Sequence, residues 1–137
     1  MKRAYGRTLD ELENIVRDTG QFFDEQGVDA ALRLKVDLSI EELFVNMVNY
    51  NTETSEPVRI EWRRLEKGIE VCLTDTDVDR FDPTAQREVD VESPLADRIP
   101  GGLGLYLVLK MADSIHYEYE NRVSRITFTN RNTDADV

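Results

Sequence analysis

Apolar positions recur along this chain with two different periods, and the switch between them divides it into elements. From about Thr8 to Gln26, Leu9, Leu12, Ile15, Val16, Phe22 and Phe23 follow a roughly helical spacing, and Gly27 supplies a stop. A second helix is predicted over about Asp29 to Tyr50. Its later half is the clearer, with Ile40, Leu43, Phe44, Met47 and Val48 at i, i+3, i+4, i+7 and i+8. After the turn-rich "NTETSEP" the period drops to two. "VRIEWRRL" alternates at Val58, Ile60 and Trp62 before Leu65, and "GIEVCLTD" at Ile69, Val71 and Leu73. "EKG" between them predicts a hairpin.

A long polar segment, Asp75 to Pro100, then holds three of the four prolines and no glycine. Segments of this length without periodicity are usually functional. A further helix is expected after Gly102, using Leu103, Leu107, Val108 and Met111. Two last strands, "SIHYEYE" and "SRITFTN", are joined by "NRV". Residues 131–137 form a frayed tail in this reading. Hairpin-linked strands with helices gathered apart predict an α+β chain: a two-layer α/β sandwich, its mostly antiparallel sheet covered by helices on one face.

Composition narrows the functions open to such a fold. The 137 residues suit one domain, and 40% hydrophobic against 33% charged residues allow a real core under a well-solvated surface. The net charge of −11, from 28 acidic and 17 basic side chains, repels nucleic acid and anionic lipid, so no direct nucleic-acid or membrane partner is expected. No stretch approaches the roughly 20 apolar residues of a membrane helix, and "MKRAYGRTLDELE" has no signal-like apolar run. Cys72 is the sole cysteine, which rules out an internal disulfide and suits a cytoplasmic location. Its apolar surroundings predict a small core residue.

Three stretches could carry chemistry. In "EELFVNMVNY", Glu42 and Asn46 lie four apart, about 40° around a helix axis, on one face. An amide oxygen there can ligate Mg²⁺ and a carboxylate can orient or deprotonate a nucleophile, although a plain solvated face has the same spacing. "LTDTDVDRFDP" follows a strand and carries Asp75, Asp77, Asp79 and Asp82. Its spacing fails the EF-hand pattern, leaving a hydrogen-bond acceptor for an exocyclic amine or a solvated turn. "RIPGGLGLYLVLKMADSI" places Gly101, Gly102 and Gly104 before a helix. It is neither a P-loop nor a dinucleotide fingerprint, and serves equally as a phosphate cradle or as a spacer for close packing. His116, without matching Cys or His residues, makes a zinc site or a serine-type triad improbable.

The order of the three stretches is more specific than any one of them. Glu-x-x-x-Asn on a helix, a strand running into an aspartate turn that ends "FDP", then "PGGLGLYLV" on a helix with two closing strands resembles the GHKL ATPase superfamily. Within it, the likeness is to the stand-alone anti-sigma factor serine/threonine kinases, over about Leu38 to Asn130. The resemblance implies a Bergerat-type ATP-binding fold and one histidine kinase-like ATPase domain over 1–137. Its parts would be an N-terminal helix within 1–27, an ATP lid at 84–100 and a flexible tail at 131–137.

It implies ATP and Mg²⁺ as cofactors, with Glu42 the catalytic carboxylate and Asn46 the Mg²⁺ ligand. Asn49 and Tyr50 would line the pocket, an aspartate of the Asp75–Asp77 turn would take the adenine amine, and Gly101, Gly102, Leu103 and Gly104 would wrap the phosphates. The implied partners are a sigma factor and an anti-sigma antagonist-type protein, with a homodimer possible. The implied function is phosphorylation of a serine or threonine on the antagonist together with sequestration of the sigma factor.

One departure stands out. The family's adenine turn is Asp-x-Gly, and no glycine occurs between Gly68 and Gly101. Aligned on Asp75, the glycine position is Asp77; counted back from "FDP", it is Val78 and the aspartate becomes Thr76. The first alignment is preferred, because Asp tolerates a left-handed backbone far better than Val. Asn51 likewise replaces the family's small residue after the helix tyrosine. These substitutions support a second reading, a nucleotide-independent protein-binding module on the same fold with a degenerate adenine site.

Overall fold

The computed structural model describes residues 1–79, 108 and 110–132. Strand β1 (Lys2–Tyr5) leads through a 3-10 turn (Leu9–Glu11) into helix α1 (Leu12–Gln26). A second 3-10 turn (Ala30–Leu32) leads into α2 (Arg33–Tyr50), followed by strands β2 (Val58–Leu65), β3 (Gly68–Thr76), β4 (Ser114–Glu120) and β5 (Val123–Arg131). The strands form one antiparallel sheet in the order β1-β2-β3-β5-β4. The α+β sandwich expected from the sequence is the fold observed.

The helices start and stop where local chemistry requires. Asp29 caps the second 3-10 turn by accepting from the Ala31 N–H at 2.9 Å. α1 ends on Gly27 at φ 67, a left-handed cap that a Cβ would disfavour. β2 and β3 join through a tight hairpin. A side chain at Gly68 would place its Cβ 2.1 Å from the Asn130 carbonyl of β5, so only glycine lets these backbones approach.

Alternation divides the sheet into two faces. Val58, Ile60 and Trp62 of β2, Ile69, Val71 and Leu73 of β3, and Ile126 and Phe128 of β5 are buried. They meet Ile15, Phe22 and Phe23 of α1 and Val36, Ile40, Leu43, Phe44 and Met47 of α2 in one core. Trp62 is the joint between the layers. It is fully buried, and its indole N–H donates 3.1 Å to the Thr19 hydroxyl, which itself donates 2.8 Å to the Ile15 carbonyl. A buried indole with its polar atom satisfied adds both area and a directional bond. Val108 and Met111, from the helix expected after Gly102, join the same core.

Three differences from the sequence reading have simple causes. The N-terminal segment contributes a strand as well as a helix. Lys2–Tyr5 is a short, charged edge strand with only Tyr5 buried, so no alternation announces it. Cys72 is half-buried and not in the core, because alternation turns it away from Val71 and Leu73. Arg131, expected in the tail, is the last residue of β5 and pairs with Gly68.

Candidate nucleotide site

α2 carries the first part of the site. Leu43, Phe44 and Met47 bury one side of this helix, which leaves Glu42 half-buried at the margin of the core and Asn46 5% exposed. The Asn46 Nδ2 donates to the Glu42 carbonyl at 2.6 Å. With the nitrogen committed, the side-chain oxygen is the atom suited to a hard cation. Desolvation, and then the neighbouring Glu41, push the Glu42 carboxyl above its ordinary value of 4.5. Asn49 is exposed, and Tyr50 is half-buried with its phenol pushed up by burial.

The residues fit Mg²⁺ in a particular way. No group of three or more His, Cys, Asp or Glu able to hold a metal occurs among the described residues. Mg²⁺ instead commonly takes one or two protein oxygens together with substrate phosphates, and Asn46 offers such an oxygen.

β3 brings the second part. Asp75 shares a face with Val71 and Leu73, so its carboxylate enters the apolar layer and is fully buried. Such a charge requires a partner. Arg7, from the loop between β1 and α1, provides it through both arms: Nη1 to Oδ1 at 2.5 Å and Nη2 to Oδ2 at 3.1 Å. Asn51 Nδ2 donates to Oδ2 at 2.8 Å. Arg7 also donates to the carbonyls of Glu56 at 3.1 Å, Met47 at 2.8 Å and Asn51 at 3.0 Å. A cation is favoured at the Met47 and Asn51 carbonyls, at the C-terminal end of α2, by the helix dipole.

Next to Asp75 the chain turns. Asp77 adopts φ 60, the left-handed conformation that glycine would hold at no cost, at the position assigned to the family's glycine by the preferred alignment. Arg122 spans Asp77 and Asp79 at 3.1 and 2.8 Å, and Tyr119 donates to the Val78 carbonyl at 2.8 Å. Thr54 donates to the Thr76 carbonyl at 3.0 Å. The turn is thereby tied to β4, the β4–β5 turn and the α2–β2 loop.

The structure brings α2 and the end of β3 together around Arg7. The resemblance points to Glu42, Asn46, Asn49, Tyr50 and the Asp75–Asp77 turn, but neither it nor the patterning points to Arg7 or to the bonding role of Asn51. Arg7 follows a glycine in a polar stretch, and no local period marks a residue whose partner lies 68 positions away. Gly101, Gly102, Leu103, Gly104 and the expected lid at 84–100 lie outside the described residues. A cavity of about 550 Å³ lies on the opposite face of the sheet, among Lys2, Arg59, Cys72 and Arg125, and includes none of these site residues.

Comparison with known proteins identifies the family. The sequence profile of the histidine kinase-like ATPase domain matches residues 7–129. A search of curated proteins gives no match. Among solved structures, the RsbU and RsbW domains of Rv1364c from Mycobacterium tuberculosis are similar, with a TM-score of 0.64 at 13% sequence identity. That likeness covers 96% of this chain and 32% of the other, so the chain spans about a third of that structure. No helix among the described residues is long and apolar enough to cross a membrane. With most of its length matched by the profile, the chain belongs to the histidine kinase-like ATPase domain family.

Proposed function

We propose that the protein is an ATP-dependent regulatory kinase of the anti-sigma type. It holds ATP and Mg²⁺ against α2, phosphorylates a serine or threonine on an antagonist protein, and sequesters a sigma factor in the cytoplasm. The observation that carries this reading is the Glu42–Asn46 pair, in which the Asn46 amide is bonded to the helix at Glu42. Its oxygen is the candidate Mg²⁺ ligand, and Mg²⁺ would supply charge neutralisation at the phosphates. Glu42, one turn away, has a raised proton affinity that suits it to accept the proton of an attacking hydroxyl. The likeness to a structure that contains an RsbW domain supports the same reading. Incubation with γ-labelled ATP and the cognate antagonist tests it: wild type labels the antagonist and Glu42→Ala does not. Equal labelling by both removes Glu42 from the mechanism.

A second reading is favoured by one observation, the closure of Arg7 on Asp75. In it the protein docks its partner without nucleotide. Calorimetry with ATP and Mg²⁺ separates the two readings, since micromolar binding removes the second and no heat at millimolar nucleotide supports it.

A further inference from the structure

Asp75, the residue expected to accept the amino group of adenine, already accepts three hydrogen bonds from within the chain. Its side chain is fully buried and that of Arg7 is 11% exposed. Oδ1 takes the Arg7 Nη1, and Oδ2 takes both the Arg7 Nη2 and the Asn51 amide. A guanidinium brings a full positive charge and two parallel N–H donors in a rigid fork to this carboxylate, where an aromatic amine brings one donor and no charge. Nor is Arg7 easily displaced, since three carbonyls hold it from the other side: Glu56, Met47 and Asn51. The donors from Arg7 and Asn51 thus stand where the amine of a base would otherwise donate.

We propose that Arg7 is an internal occupant of the base-amine acceptor, so that a nucleotide held at Glu42 and Asn46 is not selected by its 6-amino group. This rests on the reading of the α2 pair as a phosphate and Mg²⁺ site. Its consequence is a nucleotide specificity set by the triphosphate and not by the purine amine. Arg7 is the specificity-determining residue, acting by subtraction: it removes an acceptor that the fold would otherwise present.

The test is calorimetric titration of the full chain with Mg·ATP and with Mg·inosine triphosphate, which carries a 6-oxo group in place of the amine. Wild type is expected to bind the two within about threefold. Arg7→Met, checked for folding by thermal melting, is expected to prefer ATP by about tenfold or more, since a site that hydrogen-bonds a substrate N–H rejects the analogue lacking it. Arg7→Lys, which keeps the charge and loses the fork, takes its place if the methionine variant does not fold. A wild-type preference for ATP above tenfold overturns the inference and leaves the α2 site intact. If wild type binds neither nucleotide, the kinase reading falls, and the inference stands only where a folded Arg7 variant acquires ATP binding; failure to acquire it overturns the inference as well.

Discussion

The amide nitrogen of Asn46 donates to the backbone carbonyl of Glu42 at 2.6 Å, which pins the proposed cation ligand to the helical turn that carries the proposed base. Their roles separate on mutation. Glu42→Gln keeps the shape and removes the proton acceptor. Phosphoryl transfer is expected to fall by about 10²–10⁴-fold, the usual worth of a general base, with nucleotide affinity changed by less than about threefold. Single-turnover transfer and equilibrium titration measure the two quantities, and an equal loss in both contradicts the division of roles.

Burial also gives Glu42 a signature in stability. Its folded pKa lies above the ordinary 4.5, so over the interval between them the folded state binds more protons than the unfolded state. Stability therefore falls as pH rises through that interval and is flat above it. Asp37, raised chiefly by desolvation from 3.8, adds the same sign over its own interval. Urea midpoints measured from pH 4.5 upward are expected to decline in wild type and to decline less in Glu42→Gln. A slope unchanged by the substitution contradicts the assignment.

Trp62 tests the joint between the layers. Trp62→Phe keeps an aromatic ring, leaves part of the indole volume empty and removes the donor to Thr19. A loss of about 1–3 kcal/mol is expected, against about 3–5 kcal/mol for Trp62→Ala. Thr19→Val, which removes the partner and also the bond to Ile15, should show non-additivity with Trp62→Phe in a double-mutant cycle. Strict additivity would mean the indole contributes by packing alone.

The left-handed backbone at Asp77 separates side chains by their branching. Asp77→Gly relieves the Cβ and should hold or raise stability, by up to about 1 kcal/mol. Asp77→Val should lower it by about 1–2 kcal/mol, since a β-branched residue resists this region. The exposed contact with Arg122 is lost in both variants and so does not decide between them. Equal melting temperatures for the two variants contradict the turn geometry.

Periodicity carried most of the fold. Ile40, Leu43, Phe44 and Met47 repeat at helical spacing, and Val58, Ile60 and Trp62 alternate, because each set faces one continuous core. β1 was not legible. An edge strand that buries little beyond Tyr5 has no pattern to read, and its place is fixed by pairing with β2, where the Trp62 backbone N–H donates to the Met1 carbonyl at 2.9 Å. At the proposed site, the i, i+4 relation of Glu42 and Asn46 fits a solvated helix face equally well, and only the resemblance singled them out; the left-handed turn at Asp77 was legible from the missing glycine. Arg7 was not, because its significance lies wholly in long-range contacts. Its necessity follows only once Asp75 is seen on the apolar face of β3, where a bare carboxylate would be prohibitively costly.

Nucleotide binding by α2 through Asn46 underlies both the kinase reading and the role given to Arg7, and one titration decides it. Mg·ATP is added to wild type, to Arg7→Met and to Asn46→Ala, with folding of each verified by melting. Binding at micromolar to submillimolar Kd is predicted in wild type and in Arg7→Met, with at least about a tenfold loss, near 1.4 kcal/mol, in Asn46→Ala. Absence of heat at several millimolar nucleotide in wild type, or undiminished binding in Asn46→Ala, contradicts it.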